Sequence, residues 1–211
     1  MLLHVVYTAI AVVCCGATSA GMADVVEIAR SYPDGGGYEW KGTGVPEDIV
    51  FDGKPILAKG KATYCSGFTF AVVMKAAEQR GLLRDKTPEQ IRAFQKNWYG
   101  STKESAETQC AYALEQLGIG HEVKAEDARQ GDFLQLWRVN KSGHSVVFLA
   151  WVMENGMRIG VKYRSTQKLT DGIGDRVEYF ANVDGKKGLV DRQRIYFGRL
   201  NEVRGNASRL K

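Results

Sequence analysis

Residues 65–80 of the chain read CSGFTFAVVMKAAEQR, and they carry the strongest helix signal in the sequence. Its first half is apolar at nearly every position, so it lacks the polar face of a surface helix. Gly81 follows, and glycine is the residue that most often ends a helix in a left-handed conformation. We therefore predict a helix from Cys65 to Arg80 that is buried on most sides, as the central helix of a compact α+β fold.

A second helix is predicted from a capping sequence. Residues 87–90 read TPEQ, which places Thr87 at the N-cap, Pro88 at the first helical position and Gln90 at the third. The helix is expected to run to about Asn97, before an aromatic pair and a glycine interrupt it.

A third helix is predicted from about Lys103 to Leu117, ended by Gly118. Its apolar residues recur at helical spacing and are Ala106, Cys110, Ala113, Leu114 and Leu117. This stripe assigns the Cys110 sulfur to the core.

Beyond Gly118 the apolar period changes to two, which is typical of strands. The strand candidates are His121–Val123, Phe133–Val139, His144–Val152, Met157–Gln167 and Arg194–Leu200. Residues 24–60 are rich in glycine, proline and aromatic side chains, and we predict an ordered lead-in with short strands there. Helices followed by an antiparallel sheet indicate an α+β fold.

The first residues of the chain predict export. A short apolar run over residues 1–15 is followed by small residues up to Ala23, although no Lys or Arg precedes the run. We interpret residues 1–23 as a signal peptide cut after Ala20 or Ala23, which leaves 24–211 as one domain without a membrane segment. The protein is then secreted or periplasmic. Lipid attachment at Cys14 or Cys15 is the alternative, but Val13 poorly fits the small residue that such a site needs.

The formal charge of +5 and a sequence pI near 9.0 leave two interpretations open. A basic exported protein can be drawn to anionic cell-wall polymers or phospholipid headgroups, or the charge can serve solubility alone. Lys and Arg are spread along the chain, and no nucleic-acid-binding motif is present, so we expect no nucleic-acid partner.

Cys65 and His144 carry the candidate chemistry. Ser66 and Gly67 keep the start of the predicted helix uncrowded, so its free N–H groups would favour a thiolate at Cys65. His144 opens a predicted strand about eighty residues later and would act as the base. The alternative is that Cys65 is an ordinary buried core residue.

The remaining candidates are expected to be structural. A disulfide between Cys65 and Cys110 is possible in an exported protein, but the helical stripe argues against it. His121 follows a Gly-Ile-Gly turn and is expected to be structural or exposed. The cysteines and histidines lack the short spacing of zinc ligands, so no metal is predicted.

A third polar residue is predicted from turn chemistry. Asn155-Gly156 favours a two-residue type I′ turn. If Glu154 pairs with Met157, the register places Gln167 opposite His144 and Ser165 opposite Val146. A polar side chain there would fix the orientation of the imidazole. Gln167 is the first candidate and Ser165 the second.

The hairpin register leaves alternatives for this third position. A bulge would shift the pairing by one or two residues and bring Tyr163, Arg164 or Thr166 to it instead. Gln167 could also be an ordinary surface residue of a strand.

Three motifs resemble those of the NlpC/P60 and CHAP families, which are papain-like cysteine peptidases and amidases of bacterial cell walls. They are YCSGF at residues 64–68, GDFL at 131–134 and GHSVV at 143–147, in the families' order. The resemblance covers about residues 54–167. Tyr64 stands where the families usually carry an acidic residue, and residues 169–211 have no counterpart.

The resemblance implies a papain-like, NlpC/P60-type fold with N-terminal helices packed on an antiparallel sheet. It implies a thiol hydrolase without metal or organic cofactor that cleaves an amide bond, with peptidoglycan stem peptides as the leading substrate. Cys65 would be the nucleophile, His144 the base and then the acid, and Gln167 or Ser165 the orienting residue. The alternatives are a non-catalytic wall- or partner-binding domain on the same fold, and a thiol acyltransferase.

Overall fold

The computed structural model describes residues 24–202 as four α-helices and nine strands. The helices are α1 Val25–Ser31, α2 Cys65–Gln79, α3 Pro88–Trp98 and α4 Cys110–Leu117. The strands are β1 Gly35–Gly36, β2 Ile49–Phe51, β3 Lys54–Leu57, β4 Gly120–Val123, β5 Phe133–Arg138, β6 Gly143–Glu154, β7 Met157–Gln167, β8 Gly172–Tyr179 and β9 Val190–Leu200.

The helices pack against an antiparallel sheet, as the predicted α+β class requires. Seven strands form this sheet in the order β1-β8-β7-β6-β5-β9-β4, and β2 and β3 pair separately as a small hairpin. Every strand pair within the sheet is antiparallel. No helix within residues 24–202 is long and apolar enough to cross a membrane.

The predictions for α2 and α3 are confirmed. Helix α2 ends at Gln79, and Gly81 has a φ of 66°. Nearly all of its first ten residues are buried, which follows from their apolar character. At α3, Thr87 and Gln90 form the predicted capping box, and the helix runs one residue further than expected, to Trp98.

The third helix is shorter than predicted, because it begins at Cys110 and not at Lys103. The preceding residues form turns in which the Thr102 and Ser105 hydroxyls bond to nearby backbone N–H groups. Such local bonds compete with a helix. Gln109 then has a φ of 38°, which breaks helical geometry. The core assignment of Cys110 is confirmed, since the residue is 1% exposed.

Two elements were not expected from the sequence. Helix α1 lies in the predicted lead-in, where the Asp24 carboxylate caps it by accepting a hydrogen bond from the Val26 N–H at 2.8 Å. Strand β8 fills the gap after β7 and pairs with it along its whole length. The last strand, β9, also begins earlier than predicted, at Val190.

The hairpin between β6 and β7 has the predicted turn. Asn155 and Gly156 both have positive φ, at 49° and 78°, and Glu154 pairs with Met157. Two irregularities interrupt the ladder, but they cancel, so Val147 pairs with Arg164 in the register that the turn sets. Extended by three residues, this register places Gln167 opposite His144.

Candidate active site

A cavity of about 440 Å³ lies where β6 begins, β7 ends and α2 begins. Three of the residues predicted from the sequence line it together: Cys65, His144 and Gln167. Its other lining residues are Tyr38, Trp40, Ser66, Tyr99, Gln109, Gln135, Trp137, Arg138, Lys141, Ser142, Gly143 and Ser145.

Cys65 is the first residue of α2 and is half-buried. The N-cap residue, Tyr64, provides no side-chain cap, so the N–H groups of the first turn are not taken up by a capping side chain. Thr69 donates a hydrogen bond to the Cys65 carbonyl at 2.9 Å and accepts one from the Trp98 indole at 3.0 Å. These bonds hold the first turn of α2, whose N–H groups form the positive end of the helix dipole.

A neighbouring loop packs directly on this turn. The Tyr64 N–H donates to the Gly44 carbonyl, and a Cβ added at Gly67 would lie 2.2 Å from the Gly44 carbonyl carbon. Glycine at position 67 is therefore required for the loop to approach the helix so closely.

The surroundings of the sulfur are partly aromatic. Burial first, and the nearby Cys65 second, raise the pKa of Tyr64 to about 12, and both effects also raise the pKa of Tyr38. The sulfur lies 3.9 Å from the Ser66 hydroxyl. Both Cys65 and His144 line the cavity, and among the described residues no hydrogen bond joins them.

His144 is 5% exposed, and its imidazole is neutral at physiological pH. Burial first, and the positive charge of Arg138 second, lower the pKa of His144 to about 3. The Glu178 carboxylate and the Gln167 amide act in the opposite direction. The ring nitrogen Nε2 is buried and has no hydrogen-bond partner among residues 24–202.

Of the two polar atoms of the Gln167 amide, only the nitrogen has a hydrogen-bond partner among the described residues. Its Nε2 donates to the Thr170 hydroxyl at 2.6 Å, which orients the amide. Its Oε1 is buried and, within the described part of the chain, accepts no hydrogen bond. The amide is close enough to His144 to raise the imidazole pKa, although its geometry falls short of a hydrogen bond. An unpaired acceptor thus lies near an unpaired ring nitrogen.

Ser165 has a different environment. Its hydroxyl donates to the Ser145 carbonyl at 2.7 Å, the side chain is fully buried, and it lies outside the cavity lining. Ser165 therefore supports the strand next to His144, and its hydroxyl is already used.

The alternatives that a register shift would have favoured also have partners of their own. The Arg164 guanidinium donates to the Ala29 and Tyr32 carbonyls, and Thr166 accepts a hydrogen bond from Thr63. The Tyr163 ring packs edge-on against the imidazole of His144.

Several lining residues were missed by the sequence analysis. Ser145 donates to Gln135 at 2.7 Å and to Gln109 at 3.3 Å, which forms a polar wall from two strands and the start of α4. Trp40 is 79% exposed at the rim. No local motif marks these side chains, because loops and strands distant in sequence bring them together.

The residues expected to be structural behave as such. Cys65 and Cys110 are both free thiols, and burial raises the pKa of Cys110 to about 12. His121 is exposed and contacts Asn201 at 3.2 Å. The predicted signal peptide, with Cys14 and Cys15, lies outside the described residues.

Within residues 24–202, no cluster of three or more His, Cys, Asp or Glu side chains could hold a metal ion. Comparison with known proteins gives no match to a family model, to a curated protein or to a solved structure.

Proposed function

We propose that the protein is an exported, papain-like thiol hydrolase that cleaves an amide bond, with peptidoglycan stem peptides as the leading substrate. The observation that carries the proposal is that Cys65, at a helix N-terminus without a side-chain cap, and His144 line one cavity. A nucleophile and a base in one solvent-accessible cavity are what thiol catalysis requires.

The reaction begins from a neutral imidazole, because the pKa of His144 is about 3. The Cys65 sulfur attacks the substrate carbonyl carbon while His144 takes the thiol proton. The N–H groups of the first turn of α2 stabilise the negative charge that develops on the oxygen. His144 then gives the proton to the leaving amine, and the C–N bond breaks to leave an acyl-enzyme. Water, deprotonated by His144, releases the acid and restores the thiol.

The third role falls to Gln167 in this proposal. Its unpaired Oε1 would accept a hydrogen bond from the Nε2–H of His144 once the imidazole ring moves toward the amide. This bond would keep the proton on Nε2 and direct Nδ1 to the cavity. Ser165, as the second candidate, would act only through the Ser145 backbone.

Two other functions compete. Because no hydrogen bond joins Cys65 to His144 within the described residues, a non-catalytic wall- or partner-binding domain is one of them, with exposed Trp40 at the rim as a contact. A thiol acyltransferase is the other, since it uses the same thiol chemistry and passes the acyl group to an amine. Product analysis separates it from hydrolysis.

The test compares the two described thiols. We expect iodoacetamide to modify Cys65 much faster than Cys110, because burial keeps Cys110 protonated and inaccessible. Cys65→Ala should abolish release of new amino groups from purified peptidoglycan without loss of fold. Cys110→Ala is the matched control: it should retain activity and lower the free energy of unfolding by about 1–2 kcal/mol. Equal alkylation rates, or activity in Cys65→Ala, would contradict the proposal.

A further inference from the structure

The imidazole of His144 rests against a buried tyrosine. The rings of His144 and Tyr163 lie 5.4 Å apart at an angle of 70°, an edge-on arrangement. Tyr163 is fully buried, and its hydroxyl donates a hydrogen bond to the Glu178 carboxylate. The position of the Tyr163 ring therefore depends on Glu178.

The Glu178 carboxylate is itself held by arginine. Arg138 donates to both of its oxygens, at 2.7 and 2.6 Å, and Arg176 lies 3.5 Å away. Burial would raise the pKa of Glu178, but the bonds and charge of Arg138 lower it to about 2, so the carboxylate is ionised. A paired, ionised group with two-point contacts has a fixed geometry.

This network joins three strands to the cavity. Arg138 ends β5 and lines the cavity, Tyr163 lies on β7, and Glu178 lies on β8. We propose that Glu178 is a positioning residue of the active site: it fixes the Tyr163 ring, and through that ring the His144 imidazole, and it also fixes Arg138 in the cavity wall. The inference rests on the proposed thiol hydrolase for its catalytic consequence.

The polar and charged groups around His144 come from β5, β7, β8 and α2. They are Arg138 on β5, Tyr163 and Gln167 on β7, Glu178 and Arg176 on β8, and Cys65 on α2. Among these groups, Glu178 carries a negative charge, and its carboxylate faces Arg138 and Arg176. Its removal would take the two-point partner from Arg138, which otherwise donates to the Ser142 hydroxyl at 3.4 Å.

The chain offers a matched control for this network. Tyr196 donates to Glu107 at 2.8 Å, and Arg194 holds that carboxylate with two bonds of 2.8 and 2.7 Å. The residue types are the same, and none of the contacts described for this second network involves His144. Tyr163→Phe and Tyr196→Phe each remove one hydroxyl and keep the ring.

The experiment records imidazole NMR spectra and steady-state kinetics for Tyr163→Phe, Glu178→Gln and Tyr196→Phe, with His121 as an internal reference. We expect the first two variants to shift or broaden the His144 resonances and to lower kcat by about ten- to a hundredfold at nearly constant KM. Tyr196→Phe should change neither. If Glu178→Gln does not fold, the Tyr163→Phe variant alone tests the positioning role.

Unchanged His144 resonances in folded Tyr163→Phe and Glu178→Gln would overturn the positioning role. So would equal effects in Tyr196→Phe. The spectra need no turnover, so a wild-type protein inactive on every amide substrate would overturn the proposed function and leave the positioning of His144 to be decided by the NMR result.

Discussion

At the scale of single residues, His144 is buried and also lines a cavity. It lines a cavity that solvent can enter, yet burial lowers its pKa to about 3. In the proposed mechanism, His144 would be in its proton-accepting form well below the ordinary histidine pKa of about 6.5, but a base with so low a pKa takes up a proton less readily.

This leads to a prediction on pH. On the acid side, kcat/KM should stay level through pH 6 and fall only as the pH approaches the His144 pKa of about 3 or as the protein unfolds. A pH–rate profile on a peptide amide, limited to the range in which circular dichroism shows a folded protein, measures it. A fall centred near pH 6.5 would contradict a lowered pKa of the catalytic base.

The low pKa of His144 also makes the free energy of unfolding depend on pH. Since the folded-state pKa of His144 lies below the ordinary histidine value of 6.5, its neutral form contributes stability above pH 6.5, and this contribution is lost as the pH falls toward 3. Denaturant titrations of wild type and His144→Gln between pH 6.5 and 4.5 should show a steeper decline in the wild type. Glu178 loses its own contribution only at lower pH, from 4.5 toward 2.

Gln167 and Ser165 can be separated by mutation. Gln167→Ala should lower kcat by one to three orders of magnitude, roughly, with little change in KM, as loss of an orienting group does. Ser165→Ala should instead lower stability by about 1 kcal/mol, because the buried Ser145 carbonyl loses a donor. Steady-state kinetics and melting curves of both variants test this. Full activity in Gln167→Ala with loss in Ser165→Ala would reverse the roles.

At the scale of elements, the start of α2 depends on a single glycine. A methyl group at Gly67 would overlap the Gly44 backbone, so Gly67→Ala should displace the loop and lower the melting temperature by several degrees, together with activity. Gly53→Ala is the comparison: it adds the strain of a positive φ, 67°, without a clash, so it should lower the melting temperature less than Gly67→Ala does. Thermal melts compare the two, and equal effects would show that the clash is relieved at little cost.

Sequence patterns predicted those elements whose signals are local. The capping residues of α3, the apolar run of α2 and the Asn155-Gly156 turn each specify their structure within a few residues. The third helix was predicted too long, because its apolar spacing continues into turns whose backbone bonds to Thr102, Ser105 and Trp137. Strand β8 was missed because its glycine-rich start resembles a loop.

At the scale of the whole molecule, the candidate site could be predicted only in part. Cys65 and His144 were found because each opens an element, and Gln167 because one turn sets the register. Gln109, Gln135 and Glu178 were not found, because their roles depend on contacts between distant strands and loops. Such contacts leave no periodic signal in the sequence.

The N-terminal part of the described chain is tied to the sheet through Arg164. Its guanidinium caps the end of α1 by donating to the Ala29 and Tyr32 carbonyls at 3.0 and 2.9 Å, and it pairs with Asp34 and Asp175. Arg164→Met should therefore lower the free energy of unfolding by about 3–5 kcal/mol.

Arg30→Met provides the comparison for that variant. Arg30 also pairs with Asp175, at 3.1 Å, but its side chain is 53% exposed, so the expected loss is below about 1 kcal/mol. Urea titrations of both variants measure the difference. Similar losses would show that α1 is held by its apolar contacts alone.

The hairpin turn at Asn155-Gly156 has a practical consequence. Strand β6 begins at the cavity with Gly143 and His144 and runs twelve residues to Glu154, so the turn lies roughly 35 Å along the strand from the site. The tip of the hairpin is exposed. A fluorophore, an affinity tag or a link to a solid support attached there would leave the mouth of the cavity open to large polymeric material.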